Sequence, residues 1–189
     1  MSPVMRPIEL DDLLSHVRDF AKRESSHRES SLFGVTDGKA VGTYLEHKFV
    51  TSLGEQFDFA SGSSAKGIDL PSLGVDLKVT SIRQPQSSCP FKSARQKVFG
   101  LGYGLLVFVY DKSDDHEDQT ARLDILHVVF IEQARTADFQ LTRGILRILD
   151  NDGNVDDLVA FMHDKMLPVE EIQAREIAEE ILRTRPNQG

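Results

Sequence analysis

The stretch Gly67-Ile68-Asp69-Leu70-Pro71-Ser72-Leu73-Gly74-Val75-Asp76-Leu77-Lys78-Val79-Thr80-Ser81 decides the reading of this chain. Pro71 and Gly74 frame a four-residue connection, which predicts a short hairpin with Leu70 facing Val75 as the last strand pair. Asp69 then stands opposite Asp76. Cross-strand partners have Cβ atoms roughly 4.5–5.5 Å apart, and side chains two residues apart on a strand share a face, so Lys78 joins the two acids. Two carboxylates that close repel one another, and a divalent cation is the natural neutraliser. Mg²⁺ takes oxygen ligands, usually one or two carboxylates, with water and phosphate filling the remaining positions. A surface hairpin with a salt-bridged Asp and Lys is the plainer reading of Asp-x-Lys alone. Against it stands the other face, where Ile68, Leu70, Val75, Leu77 and Val79 are all apolar and predict burial.

Outward from the motif, the chain alternates helical and strand patterns. Residues 8–24 carry Ile8, Leu13, Leu14, Val17, Phe20 and Ala21 near a helical period, and the polar segment 25–31 reads as a loop. Thr36 or Asp37 can cap a second helix running to about Leu53, with Val41, Leu45, Phe49 and Leu53 as its apolar stripe. A strand around Gln56–Ala60 and a Ser-Gly turn at 61–64 lead into the motif. Beyond it lie a loop at 81–90, a helix from about Phe91 to Leu101, and two apolar runs at 105–110 and 123–131. Those runs read as strands buried on both faces, which need helices on both sides of a sheet. Leu141–Leu149, Val155–Met166 and Val169–Leu182 each show helical spacing, with Gly153 and Pro168 as breaks.

A chain of 189 residues with 40% hydrophobic content buries one good core, so a single domain over 1–189 is expected. No apolar run approaches the roughly 20 residues that span a bilayer, and no signal-peptide pattern opens the chain, so a cytoplasmic protein is expected. Cys89, the single cysteine, has no internal partner for a disulfide or thiolate cluster and reads as a structural or loop thiol. The net charge of -8 argues at first against a nucleic-acid partner. Its distribution argues otherwise: residues 1–65 carry 7 basic and 10 acidic side chains, residues 66–112 carry 7 and 3, and residues 113–189 carry 8 and 17. The motif therefore sits in the one basic region of an acidic chain, and a phosphate backbone responds to the local patch.

These residues resemble the PD-(D/E)xK nuclease superfamily, also called restriction-endonuclease-like. Asp69 matches its first acid and Asp76-Leu77-Lys78 its acidic-x-Lys, while Ile68 stands where the family loosely keeps a proline. Six residues separate Asp69 from Asp76, a short gap for the family. The resemblance covers roughly residues 37–131. It implies an α/β fold with a restriction-endonuclease-like core, a central mixed β-sheet flanked by helices. The N-terminal helix 8–24 and a helical C-terminal extension, about 132–184, flank that core. It also gives Glu46, on the edge of the second helix's stripe, the part of the helix acid, where a helix glutamate is ordinarily just solvated.

What the resemblance implies for chemistry follows residue by residue. Asp69 and Asp76, with the carbonyl of Leu77, hold Mg²⁺; Glu46 supports the metal or its water. Lys78 orients or helps deprotonate the attacking water. The substrate is double-stranded DNA, and a homodimer could read a symmetric site. Within the superfamily a type II restriction endonuclease is favoured. A repair or recombination nuclease and a noncatalytic DNA-binding or interaction module are the alternatives.

The loop after the motif offers Arg83, Gln84 and Gln86, whose paired donors and acceptors match base edges. Ser81, Ser87 and Ser88 can hold phosphates. Lys92, Arg95, Gln96 and Lys97 continue the polar face on the next helix. A solvated loop with no partner is the bland reading of the same residues. Other signals fail on inspection. The segment from Asp150 to Asn154 opens like a calcium loop but puts Val155 where glycine is required. The glycines at 100, 102 and 104 precede a strand, whereas phosphate-binding glycines follow one. The six histidines show no zinc spacing, and only His47, beside Glu46, draws notice.

Overall fold

The computed structural model describes residues 5–60, 67–85 and 90–189. The chain divides into two compact units, Met1–Ser88 with Leu105–Ile131, and Cys89–Gly104 with Glu132–Gly189.

The first unit contains the motif. Helix α1 spans Leu10–Ser25 and turns Leu13, His16, Val17, Phe20, Ala21 and Glu24 inward, a single face at helical spacing. Helix α2 spans Gly38–Gly54; Asp37 is its cap, accepting from the backbone N–H of Lys39 and Ala40. Its buried stripe is Val41, Leu45, Phe49 and Leu53, as the sequence predicts. Two short strands, β1 (Arg6–Pro7) and β2 (Phe57–Asp58), pair in parallel. A mixed three-stranded sheet follows, in the order β3 (Val75–Ser81), β4 (Gly104–Asp115), β5 (Thr120–Ile131). Helix α1 packs on β5 and α2 on β3. Phe20, Phe49 and Phe108 meet edge to face, with ring centroids 5.1, 5.2 and 6.1 Å apart, the geometry favoured by the ring quadrupoles. The loop ahead of α2 also joins the sheet, because Glu29 and Ala121 exchange two backbone hydrogen bonds of 2.8 Å.

Two expectations change here. The 105–110 and 123–131 runs are not buried on both faces. In β4 burial alternates, with Leu106, Phe108 and Tyr110 inward. In β5 the pairing slips: Val109 faces His127 and Tyr110 faces Ile125, so Leu126 is an extra residue. The bulge flips the inward phase from Ala121, Leu123 and Ile125 to Val128 and Phe130, leaving Leu126 and Val129 over 40% exposed. A one-sided strand with a phase change reads as a continuous apolar run. The hairpin is the second change. Leu70 and Val75 do exchange both backbone bonds, at 3.0 and 3.2 Å, and Gly74 takes the positive φ of 61° that the turn demands. The ladder then stops, because the N–H of Leu77 donates to the Asp69 carboxylate at 2.9 Å and not to a main-chain carbonyl, as the next narrow pair of a regular hairpin requires.

The second unit is helical among the described residues. It comprises α3 (Ala94–Phe99), α4 (Phe139–Asp150), α5 (Val155–Asp164) and α6 (Glu171–Arg183). Helix α3 is shorter than the expected 91–101, because Ser93 caps it late and Gly100, at φ 94°, stops it. Ile145, Leu158, Met162, Ala174 and Ile181 form the heart of its own core. Gly144 lies inside α4 because a Cβ there would sit 2.1 Å from the Phe161 ring. The Asp150 to Asn154 segment ends α4 and opens α5, where Asn154 accepts from the N–H groups of Asp156 and Asp157. No helix among the described residues is long and apolar enough to cross a membrane.

Candidate active site

Three segments of the first unit converge on one charged cluster. Asp76 and Lys78 lie two residues apart on β3, and Lys78 Nζ is 2.6 Å from the Asp76 carboxylate. Asp69, placed by the Leu70–Val75 bridge, donates no backbone ladder bond but bonds Leu77 N–H with one carboxylate oxygen. Its carboxyl group is also in hydrogen-bonding contact with that of Asp76. Glu46 reaches the cluster from α2, close enough to feel Asp69, Lys78 and Asp76. The cause is local: α2 packs on β3 through Val41, Leu45 and Phe49, and Glu46 flanks that stripe.

The electrostatics are those of acids held together against their charge. Asp76 is only 4% exposed. Burial raises its pKa, the Lys78 ammonium opposes that, and the Asp69 carboxyl adds to the rise. Glu46 is pushed up to about 7, first by burial and then by Asp69, with Lys78 opposing. Burial works against the charge on Lys78, yet its contacts with Asp76, Glu46 and Asp69 outweigh this and hold its pKa above the usual lysine value. Lys78 is therefore a fixed cation at neutral pH.

In such a site one ammonium faces three carboxyl groups, and the groups left to bind a further cation are oxygens. That fits a hard divalent cation, which needs only one or two carboxylates beside water and phosphate. Among the described residues no three His, Cys, Asp or Glu side chains form a ready metal cage. Asp69 and Asp76 are the two carboxylates that could hold such a cation directly. His47 points elsewhere: with Tyr44 and Lys48 it borders a cleft of about 600 Å³ between α1 and α2 that includes none of the four cluster residues.

The residues expected to contact DNA separate by unit. In the first, Ser81 ends β3, and its hydroxyl accepts from the backbone N–H of Arg83 at 3.2 Å and of Gln84 at 3.4 Å. That side chain shapes the loop, leaving less of it for a phosphate. Arg83 forms an ion pair with Asp111 of β4. Sequence reading passed over Asp111, although it is the third acid of the basic region with Asp69 and Asp76. Gln86, Ser87, Ser88 and Cys89 lie outside the described residues, as does the whole of the 61–64 turn. Lys92, Arg95 and Lys97 belong to the second unit. There Arg95 pairs with Glu180 at 2.5 Å and stacks on Phe99, while Lys97 lies 3.8 Å from Asp138. The backbone N–H of Lys92 donates to the Gln96 side chain. Arg95 is thereby engaged within its own helical unit.

Comparisons with known proteins give the family of the chain. The family described as type II restriction enzyme NspV matches residues 7–189. The type II restriction enzyme NspV of Nostoc sp. is 60% identical over 185 residues, which cover 98% of this chain and 84% of that protein. No solved structure matches the chain.

Proposed function

The chain belongs to the NspV family of type II restriction enzymes, and on that footing we propose that Asp69, Asp76, Lys78 and Glu46 form its Mg²⁺-dependent active site. As a restriction endonuclease it acts on DNA. The observation that carries the proposal is the burial of Asp76 in contact with both Lys78 and Asp69, an arrangement that is electrostatically unfavourable without a further cation.

In this reading Asp69, Asp76 and the Leu77 carbonyl hold the metal, and Glu46 holds its water shell. When bound, Mg²⁺ supplies the charge that neutralises these carboxylates and polarises a nonbridging phosphate oxygen. Lys78, kept protonated by its acidic neighbours, orients the attacking water and stabilises charge growing on the phosphate; it is not the base. The water oxygen bonds to phosphorus, the P–O3′ bond breaks, and the 3′ oxygen takes a proton, leaving 5′-phosphate and 3′-hydroxyl ends. Glu46, whose carboxyl is pushed up to about 7 by burial and Asp69 in the metal-free cluster, is the carboxylate that would take the water's proton. Both units serve one nuclease domain, and two copies read a symmetric duplex site.

The test is digestion of a long duplex by the purified protein in Mg²⁺ and in EDTA, with the fragment ends sequenced. Discrete ends bearing 5′-phosphate appear only with Mg²⁺. Asp76→Ala and Lys78→Ala remain folded and do not cut; metal-dependent cleavage by either variant rejects the assignment.

A further inference from the structure

The end of the catalytic strand carries a second fixed cation. Ile82 N–H donates to the carbonyl of Tyr110 at 2.9 Å, which aligns the end of β3 with β4 and sets Arg83 beside Asp111. One guanidinium nitrogen, Nη2, donates to Asp111 Oδ2 at 2.8 Å, and Nε lies 2.6 Å from Oδ1. Asp111 Oδ1 is shut off from solvent and has no hydrogen-bond partner among the described residues, so the guanidinium in ion-pair contact with it is what offsets its charge. The Ser81 hydroxyl meanwhile accepts from the Arg83 backbone N–H. Both the main chain and the guanidinium of Arg83 are thereby pinned, while 69% of its side chain stays exposed.

A surface ion pair of this kind adds only about 0–1 kcal/mol to stability. Its effect on geometry is larger, because a long, rotamer-rich side chain becomes a preorganised donor. Asp111 faces the Nε–Nη2 edge, with one hydrogen bond at Nη2 and an ion-pair contact at Nε, which turns Nη1 and the outer hydrogen of Nη2 away from it as the outer edge. That outer edge is the paired donor that suits either two phosphate oxygens or the O6/N7 edge of guanine. Arg83 is five residues beyond Lys78, at most about 16 Å away at roughly 3.3 Å per residue. It therefore reaches DNA within about five base steps of the scissile phosphate at about 3.4 Å per step. The acids of the basic region are Asp69, Asp76 and Asp111; two belong to the cluster, and the third is spent on aiming this arginine.

We propose that Asp111 is a positioning residue for DNA recognition, holding Arg83 so that the outer edge of its guanidinium meets a paired acceptor on the duplex. The proposal rests on the nuclease assignment above and adds a specificity device to it.

The test uses the full chain in Mg²⁺ on a duplex containing its own cleavage site. Asp111→Asn raises KM roughly tenfold, the scale of one charge-assisted hydrogen bond, with a smaller change in kcat. Asp111→Glu, which keeps the carboxylate, recovers most of the loss. Arg83→Met shows a defect of the same size, and adding Asp111→Asn to it costs nothing more, since Asp111 acts only through Arg83. A phosphate contact appears in both single variants as a salt slope reduced by about one, and a guanine contact as cleavage at sites with one base pair changed. The proposal is overturned if Asp111→Asn keeps the wild-type KM, if its loss persists in the Arg83→Met background, or if neither signature appears. Should Asp111→Asn fail to fold by circular dichroism, the comparison of Asp111→Glu with Arg83→Met decides. Failure of the wild-type protein to cut any duplex would instead overturn the underlying assignment.

Discussion

Replacing Lys78 by Met tests the electrostatics of the cluster without DNA or metal. Methionine keeps the aliphatic stem, so the change removes the ammonium and little packing. It leaves the Asp76 carboxylate, 4% exposed, facing the Asp69 carboxyl with its nearest cation gone. The ceiling on the cost is the work of protonating Asp76. From its ordinary value of 3.8 to pH 8, at about 1.36 kcal/mol per unit, that is roughly 6 kcal/mol. Two facts lower it: burial and Asp69 already raise this pKa in the wild type, and the Lys78 side chain is 36% exposed and screened by solvent. A loss of about 1–2 kcal/mol at pH 8 remains. The sign with pH follows from linkage. An acid whose folded pKa lies above its unfolded value loses stability as pH climbs between the two, and removing Lys78 raises the folded value further. The penalty is therefore full at pH 8 and shrinks as the pH falls and Asp76 takes up its proton. Urea unfolding in EDTA, followed by circular dichroism at pH 8 and pH 5, reads it directly. Equal stability of the two proteins at pH 8, or an equal loss at both pH values, would refute the cluster described here.

Other consequences follow from the same contacts. With a dissociation constant on the order of 1 mM, 10 mM Mg²⁺ stabilises the folded protein by about 1.4 kcal/mol, a melting shift of about 3–6 °C, and Asp76→Asn abolishes the shift in a thermal melt. Glu46→Gln lowers the cleavage rate about 10–100-fold, as expected for a group that holds the metal's water. In EDTA the same variant flattens the decline of stability between pH 4.5 and 7 that its raised pKa produces; an unchanged stability profile would exclude Glu46 from the cluster. Phe49→Ala opens the junction of Phe20, Phe49 and Phe108 and destabilises the protein by about 3–5 kcal/mol in urea. A loss below about 1 kcal/mol would mean the rings do not form the core.

The residues of the charged cluster were legible to different degrees. Asp69, Asp76 and Lys78 lie within ten residues, and the turn that joins them is written in Pro71 and Gly74, so their convergence is local. Glu46 is 23 residues upstream of Asp69, and its place depends on the rotation of α2 over β3. Only the superfamily resemblance pointed to it from sequence. Arg83 could be singled out by residue type, but its partner Asp111 lies 28 residues away on another strand. No spacing rule connects them. Restriction, as against repair, was likewise not written in the motif, whose chemistry is shared; the match over residues 7–189 decided it.

Sequence alone determined most of the order of helices and strands, a cap at Thr36 or Asp37, the Leu70–Val75 turn and the acid-acid-lysine triad, because each depends on neighbours within about one helical turn or one hairpin. Tertiary structure decided which face of each strand is buried, since the bulge at Leu126 reverses the phase of β5 in the middle of an unbroken apolar run. It also decided that the Asp69 carboxylate replaces a backbone acceptor for Leu77, ending the hairpin at a single bridge. In both cases the cause is a competition between hydrogen-bond partners brought together by packing, which a one-dimensional pattern does not encode.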